Sequence, residues 1–266
     1  MALSLRTPVS PYRQALADRP YTSKPLHLAR SSVRAASASG QAEPVYQGRF
    51  GAWRIEQEDI VEVWGYRAGI SVAAVTALAA SSSAFLPPGE ARDAVAGALD
   101  PLCLVGAAGL GASLQLIHIY ITPLKRALQA LWLAGTLGAV YLMLTQDAPA
   151  ALFVAENRWA VWLVGPLFAS LTGVAFKEGF CYGKWEAGGL FGVLPLLLLG
   201  HLSGLVPEDG EKGMLVAFDI IFAVFAARKY TQPIKDDIGD KSVFEFMKLP
   251  AEEQEARMRA MGLRDD

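Results

Sequence analysis

Gly165-Pro166-Leu167-Phe168 opens an apolar run that reaches Phe176, where Lys177-Glu178-Gly179-Phe180-Cys181-Tyr182-Gly183-Lys184-Trp185-Glu186-Ala187 interrupts it before apolar sequence resumes at Gly188. The flanking stretches are each long enough to cross a hydrocarbon core of about 30 Å. The segment between them mixes residue types with separate uses at a membrane boundary: Lys and Trp anchor at head-group level, and Gly permits close backbone approach. It reads as a charged, aromatic turn between two membrane spans.

Composition agrees. Over 266 residues, 53% are hydrophobic and 19% charged, with a mean hydropathy of +0.29. That is too apolar for an ordinary soluble domain, so most of the chain is expected to be solvated by membrane lipid. The two cysteines, Cys103 and Cys181, lie far apart without Cys-x-x-Cys or Cys/His spacing. They specify neither a disulfide framework nor a metal site, and read as packing residues.

Residues 1–35 hold six cationic side chains against the single acid Asp18, with five serines and no long apolar stretch. This is transit-peptide composition, and Val33-Arg34-Ala35-Ala36 has the character of a chloroplast cleavage site. Removing the segment takes away six positive charges and one negative, so a formal charge of −2 becomes −7. An acidic mature chain has no basic face for phosphates, which argues against nucleic acid as a partner.

Six spans follow, at about residues 64–86, 99–122, 127–145, 159–176, 187–206 and 213–227. Gly65 and Gly69 form a G-x-x-x-G in the first, which predicts close packing on another helix. Arg67 in that span is expected to snorkel to the head groups, and Phe50 and Trp53 ahead of it to anchor at the interface. Pro123-Leu124-Lys125-Arg126 makes a short turn, so spans two and three form an antiparallel hairpin. The stretch 150–154 is too short to cross. Pro166 and Pro195 predict bends within spans rather than ends. Glu253 to Arg257 and Glu255 to Arg259 at i,i+4 predict a soluble helix near the C-terminus.

The fold class is therefore all-α, a polytopic bundle of about six transmembrane helices. The expected organisation is a transit peptide at 1–35, an N-terminal segment at 36–62, the membrane domain at 63–230, and a C-terminal tail with a short helix at 231–266. Ten lysines and arginines near span ends fall on the side of the termini, against Arg92, Arg158 and Lys212 opposite. The positive-inside rule then places both termini in the stroma of a chloroplast, with the membrane either thylakoid or inner envelope.

These residues resemble an uncharacterised family of integral membrane proteins found in photosynthetic organisms. The likeness rests on Gln47-Gly48-Arg49-Phe50-Gly51 before Tyr66-Arg67-Ala68-Gly69, on Gly165-Pro166-Leu167-Phe168, on Phe176-Lys177-Glu178-Gly179-Phe180-Cys181-Tyr182-Gly183 and on Ala227-Arg228-Lys229-Tyr230. It covers about residues 45–245. The resemblance implies a plastid or cyanobacterial-type membrane and no particular activity.

Ionisable groups inside a membrane are costly, so they are the candidate functional residues. They are Asp219, His201 and His118, with Gln115 one turn before His118, and Lys177 and Glu178 at the stromal edge. His118 and His201 are at opposite depths, which argues against one shared haem. Asp219 is expected to be protonated, to pair with His201 across consecutive helices, or to face water. Lys177 and Glu178, neighbours in sequence, point about 100° apart on a helix and suit head-group anchoring. No nucleotide-binding, zinc-protease or nucleophile-elbow motif is present.

The reading that follows is a non-enzymatic accessory protein of chloroplast membranes that assists assembly or stabilisation of a larger membrane-protein complex, with no cofactor. Its alternative is a small-solute or proton-coupled ion transporter using Asp219, His201 and His118. A third reading is a pigment- or haem-binding protein.

Overall fold

In the computed structural model, which describes residues 44–263, the deciding turn is shorter than its sequence suggests. A helix continues through Lys177 and Glu178 as far as Tyr182, and Gly183, at φ 62°, ends it in the left-handed conformation. The next helix starts at Trp185. The hydropathy drop at Phe176 therefore marks buried charge inside a helix, and the turn proper is two residues.

The described chain begins with a small antiparallel hairpin, β1 (Val45–Gln47) and β2 (Ala52–Arg54), with Tyr46 opposite Trp53. Then come α1 (Gln57–Ser81), α2 (Glu90–Leu116), α3 (Thr122–Thr145), the short α4 (Ala150–Glu156), α5 (Val161–Tyr182), α6 (Trp185–Ser203) and α7 (Glu208–Arg228). Three short helices close it: α8 (Ile234–Ile238), α9 (Lys241–Lys248) and α10 (Ala251–Ala260). The expected transit peptide lies outside the described residues.

Among the described residues, five stretches are long and apolar enough to cross a membrane: Gln57–Ala84, Glu90–Leu116, Thr122–Thr145, Arg158–Phe180 and Trp185–Ser203. The sixth long helix, α7, has 21 residues but carries four charges in its first five positions and Asp219 near its middle. It buries Phe218, Phe222 and Phe225 and packs on α6 and α1. The described chain is predominantly helical, and the protein is a multi-pass integral membrane protein.

Small residues set the helix spacing. Gly69 faces Gly109 and Ser113 of α2 so closely that a β-carbon would strike the Gly109 carbonyl and the Ser113 hydroxyl, and a β-carbon on Gly109 would lie 2.7 Å from the Gly69 carbonyl. Ser113 Oγ donates to the Tyr66 carbonyl at 2.9 Å. The G-x-x-x-G reading of Gly65 and Gly69 thus holds. Gly135 and Gly138 do the same for α3 against the backbone of Leu167 and Leu163 in α5. In the α2/α3 hairpin, Lys125 Nζ donates to the carbonyls of Gln115 (2.6 Å) and Ile117 (3.0 Å), and Trp132 Nε1 to that of Ala107 (2.7 Å). Pro101, Pro166 and Pro195 lie inside helices, not at their ends.

Exposed aromatic side chains mark two levels on the outside. Trp159 and Trp162 stand at the start of α5, and Phe180 and Trp185 at the α5/α6 turn. Trp162 and Phe180 are separated by about 27 Å of helix at 1.5 Å per residue, close to the ~30 Å hydrocarbon thickness.

Phe50 and Trp53 are not interfacial anchors. Trp53 is buried with Val63 and Ile238, and Phe50 stacks on Phe246 with ring centroids 3.9 Å apart. The hairpin tip is tied to α9 as well: Asp240 caps that helix through Ser242 N and also accepts from Arg49 N at 2.6 Å. Lys241 reaches Glu56 (2.7 Å) and Asp59 (2.9 Å) at the start of α1. The first and last parts of the described chain together form a cap on one end of the bundle.

Candidate functional site

Beneath that cap lies a closed cluster of charge. Glu178, fully buried, sits on the penultimate turn of α5. Its Oε1 accepts from Lys177 Nζ at 3.1 Å and from the Tyr66 hydroxyl at 3.3 Å, and its Oε2 from Lys229 at 2.7 Å and Lys184 at 2.9 Å. Asp237, on α8, is the second carboxylate. Its Oδ2 accepts from Arg67 Nη2 at 2.6 Å and Nε at 2.8 Å, and its Oδ1 from Lys229 at 2.9 Å and the Gln232 amide at 2.8 Å. Lys229 bridges the two carboxylates, and Lys184 also donates to the Gln232 side-chain oxygen.

Four cations thus face two carboxylates, and aromatic rings take up part of the excess. Lys229 lies 4.8 Å from the Tyr66 ring centroid, Lys177 and Lys184 lie 5.1 and 5.0 Å from that of Tyr182, and Arg67 lies 5.4 Å from that of Trp64. The negative faces of these rings attract cations, the more so where water is excluded. The arrangement fastens five pieces of chain, α1, α5, the α5/α6 turn, the end of α7, and α8, by charge-assisted hydrogen bonds.

These positions correct two expectations. Arg67 does not snorkel: it is 2% exposed and held by Asp237 and by the carbonyls of Gln232 and Pro233. Lys177 and Glu178 do not anchor at head groups: they pair with each other in the interior. Inward placement is favoured because the partners that satisfy Glu178 come from α1, the α5/α6 turn and the end of α7, which meet only inside the bundle.

The other candidates are brought neither into the cluster nor to one another. His118 lies just past the end of α2, with Nε2 3.1 Å from a Glu62 carboxylate oxygen and its ring edge-on to Phe244. Burial pushes its imidazole down, against the pull of Glu62. Gln115 Oε1 accepts from Gln129 at 3.1 Å. His201, at the opposite end, sits with Nδ1 2.9 Å from Glu211 Oε2 and Nε2 2.9 Å from the Val154 carbonyl, so both ring nitrogens are engaged. Asp219 does not pair with His201; its Oδ1 accepts from Ser81 Oγ at 2.8 Å. Asp219 lies eight residues beyond Glu211, about 12 Å further along α7. That offset is why His201, on the last turn of α6, meets Glu211 instead.

Sequence reasoning missed Tyr66, Lys184, Lys229, Gln232 and Asp237 as parts of one site. A usable signal existed in Arg67, a cation within an apolar span, which demands a buried carboxylate from elsewhere. Glu186, in the first turn of α6, is also buried. Arg228 Nε reaches its Oε1 at 2.9 Å, and its Oε2 has no partner among the described residues.

The family model described as uncharacterized integral membrane protein (DUF2301) matches residues 112–246. The match takes in Lys177, Glu178, Lys184, Lys229, Gln232 and Asp237, and leaves Tyr66 and Arg67 on α1 outside it. No curated protein and no solved structure matches the chain.

Proposed function

We propose that this chain, which belongs to the DUF2301 family of integral membrane proteins, is a non-enzymatic accessory protein of a chloroplast membrane that assists assembly or stabilisation of a larger membrane complex. The observation that carries this reading is the separation of its charged groups. The buried charges sit under the cap at one end, Asp219 and His201 are tied to partners of their own, and the middle of the bundle between them is lined by apolar side chains such as Ala107, Leu110, Leu171 and Phe222. A proton or ion path needs polar groups in succession across the bilayer, and the described core supplies hydrocarbon there.

The charge cluster, on this reading, holds the cap rigid so that it presents one surface to a partner. The basic residue bias and the composition of residues 1–35 support a plastid membrane with both termini in the stroma and α7 as a sixth crossing. The transporter alternative rests on Asp219 and the histidines, and pigment binding on the histidines alone; the occupied nitrogens of His201 favour neither.

The test is affinity purification of the tagged full chain from native membranes, together with a deletion line. A defined membrane complex should co-purify, and its subunits should fall in abundance in the deletion line. A chain that purifies alone, with complexes unaffected by its loss, overturns the accessory reading.

A further inference from the structure

Independently of that role, the middle of the bundle contains a cavity of about 160 Å³ between α1, α2, α5 and α7, with Ala151 of α4 on its wall. Its walls include Ala77, Ala80, Cys103, Gly106, Phe168 and Phe222. The hydroxyl of Thr76, also on the wall, is committed to its own helix, donating to the carbonyls of Val72 at 2.9 Å and Ala73 at 3.1 Å. A water molecule there would not find the two to four polar partners that hold buried water. Apolar cavities of about 150 Å³ stay dry and take hydrocarbon guests. Ala77, Ala80 and Cys103 are partly exposed, so the space is reached from outside the bundle. It lies at a depth where the surrounding solvent is lipid tails.

We propose that this cavity is a binding site for a segment of one hydrocarbon chain of a membrane lipid, held as a structural ligand between α2 and α5 while the rest of the chain runs on outside the cavity. Those two helices barely touch, and small side chains on α1 and α2 leave a gap that Phe168, Phe218 and Phe222 close from the other side. A lipid chain fills the gap with dispersion contacts and needs no hydrogen bond from the wall. The head group stays outside the cavity, so selectivity is for chain shape.

The purified full chain, stripped of loosely held lipid by detergent washing, should retain one lipid-mass adduct in native mass spectrometry, identified by fragmentation. Ala77→Leu with Ala80→Leu, which fills the space, should lower its occupancy at least tenfold. A wild-type chain with no retained adduct, equal retention in the filled variant, or a light-absorbing pigment in place of an aliphatic lipid overturns the proposal. A second measurement needs no filled variant. In a Cys181→Ser background Cys103 is the remaining thiol, and in amphipol its alkylation by N-ethylmaleimide should slow at least fivefold when dioleoylphosphatidylcholine is added to the delipidated protein. An unchanged rate overturns the proposal as well.

Discussion

Glu178 is the residue on which the cap depends, because three ammonium groups and a phenol converge on its carboxylate while it is fully buried. Replacing one member of a buried ionic group strands the others, at a cost of about 3–5 kcal/mol. Glu178→Gln keeps the shape and removes the charge. It should therefore lower the thermal unfolding midpoint of the purified protein sharply, whereas Lys184→Met, on the partly exposed member, should do less. Asp219 behaves otherwise. Ser81 Oγ also bonds the Ala77 carbonyl of its own helix, and His201 is satisfied by Glu211 and Val154. Neither Asp219→Asn nor Asp219→Leu orphans a neighbour, so both should accumulate normally, with changes within about 1 kcal/mol. A deletion line rescued by both supports a structural role; loss of rescue by a normally accumulating Asp219→Asn protein would favour the transporter reading. His118 supplies a pH signature. Its folded-state value is lowered by burial, so between that value and the unfolded one of about 6.5 the unfolded chain binds more protons. The stability it contributes is present above about 6.5 and is lost as pH falls through that window. Unfolding midpoints followed from pH 7.5 to 5.5 should fall more steeply for the native protein than for His118→Gln.

Helix contacts carry a different sort of information. The Gly65/Gly69 spacing was readable because close packing in a bilayer requires small residues one turn apart, and Gly69 does meet Gly109. Gly135 and Gly138 carry the α3/α5 contact with a three-residue spacing that gives no such signature. The end of α5 was unreadable for an electrostatic reason: Lys177 and Glu178 end an apolar run in the sequence, yet the helix continues because they pair with each other and find further partners more than fifty residues away, Glu178 in the Lys229 ammonium and Lys177 in the Asp237 backbone carbonyl. No local pattern reports such a partner. Asp219 and His201 do not pair because the two side chains differ in depth by about two turns, whereas hydropathy locates a residue along a helix only to within a bilayer leaflet. The glycine contacts give a direct test. Gly135→Ala forces a methyl into the Leu167 backbone and should destabilise by about 1–3 kcal/mol in thermal unfolding. Gly192→Ala, which meets nothing within 4 Å, should be neutral or stabilising.

Taken together, these contacts fix how the bundle ends. The hairpin at 45–54 and the segment 234–246 pack on each other, so the start of α1 and the end of α7 share one end of the molecule. α1 and α7 run antiparallel, with Ser71 opposite Tyr230 (2.7 Å) and Ser81 opposite Asp219. An even number of crossings satisfies this geometry, which supports the proposed sixth crossing by α7 despite its charges; five crossings would put the two halves of the cap on opposite faces of the bilayer. The stretch after Tyr230, read from sequence as a C-terminal tail with a short helix, is held by Arg67, Lys177 and Lys229 through Asp237 and by Phe50 through Phe246, while α10 has no buried residue. Limited proteolysis of sealed membrane vesicles with the cap facing outward should therefore cut near Leu249 and Pro250 and leave residues 231–246 attached. In Asp237→Asn, which weakens the anchor, the cut should move toward Tyr230. Protection of a C-terminal tag in sealed membranes while a tag inserted just after Ala36 is digested would mean an odd number of crossings and would overturn both the shared cap and the six-span arrangement.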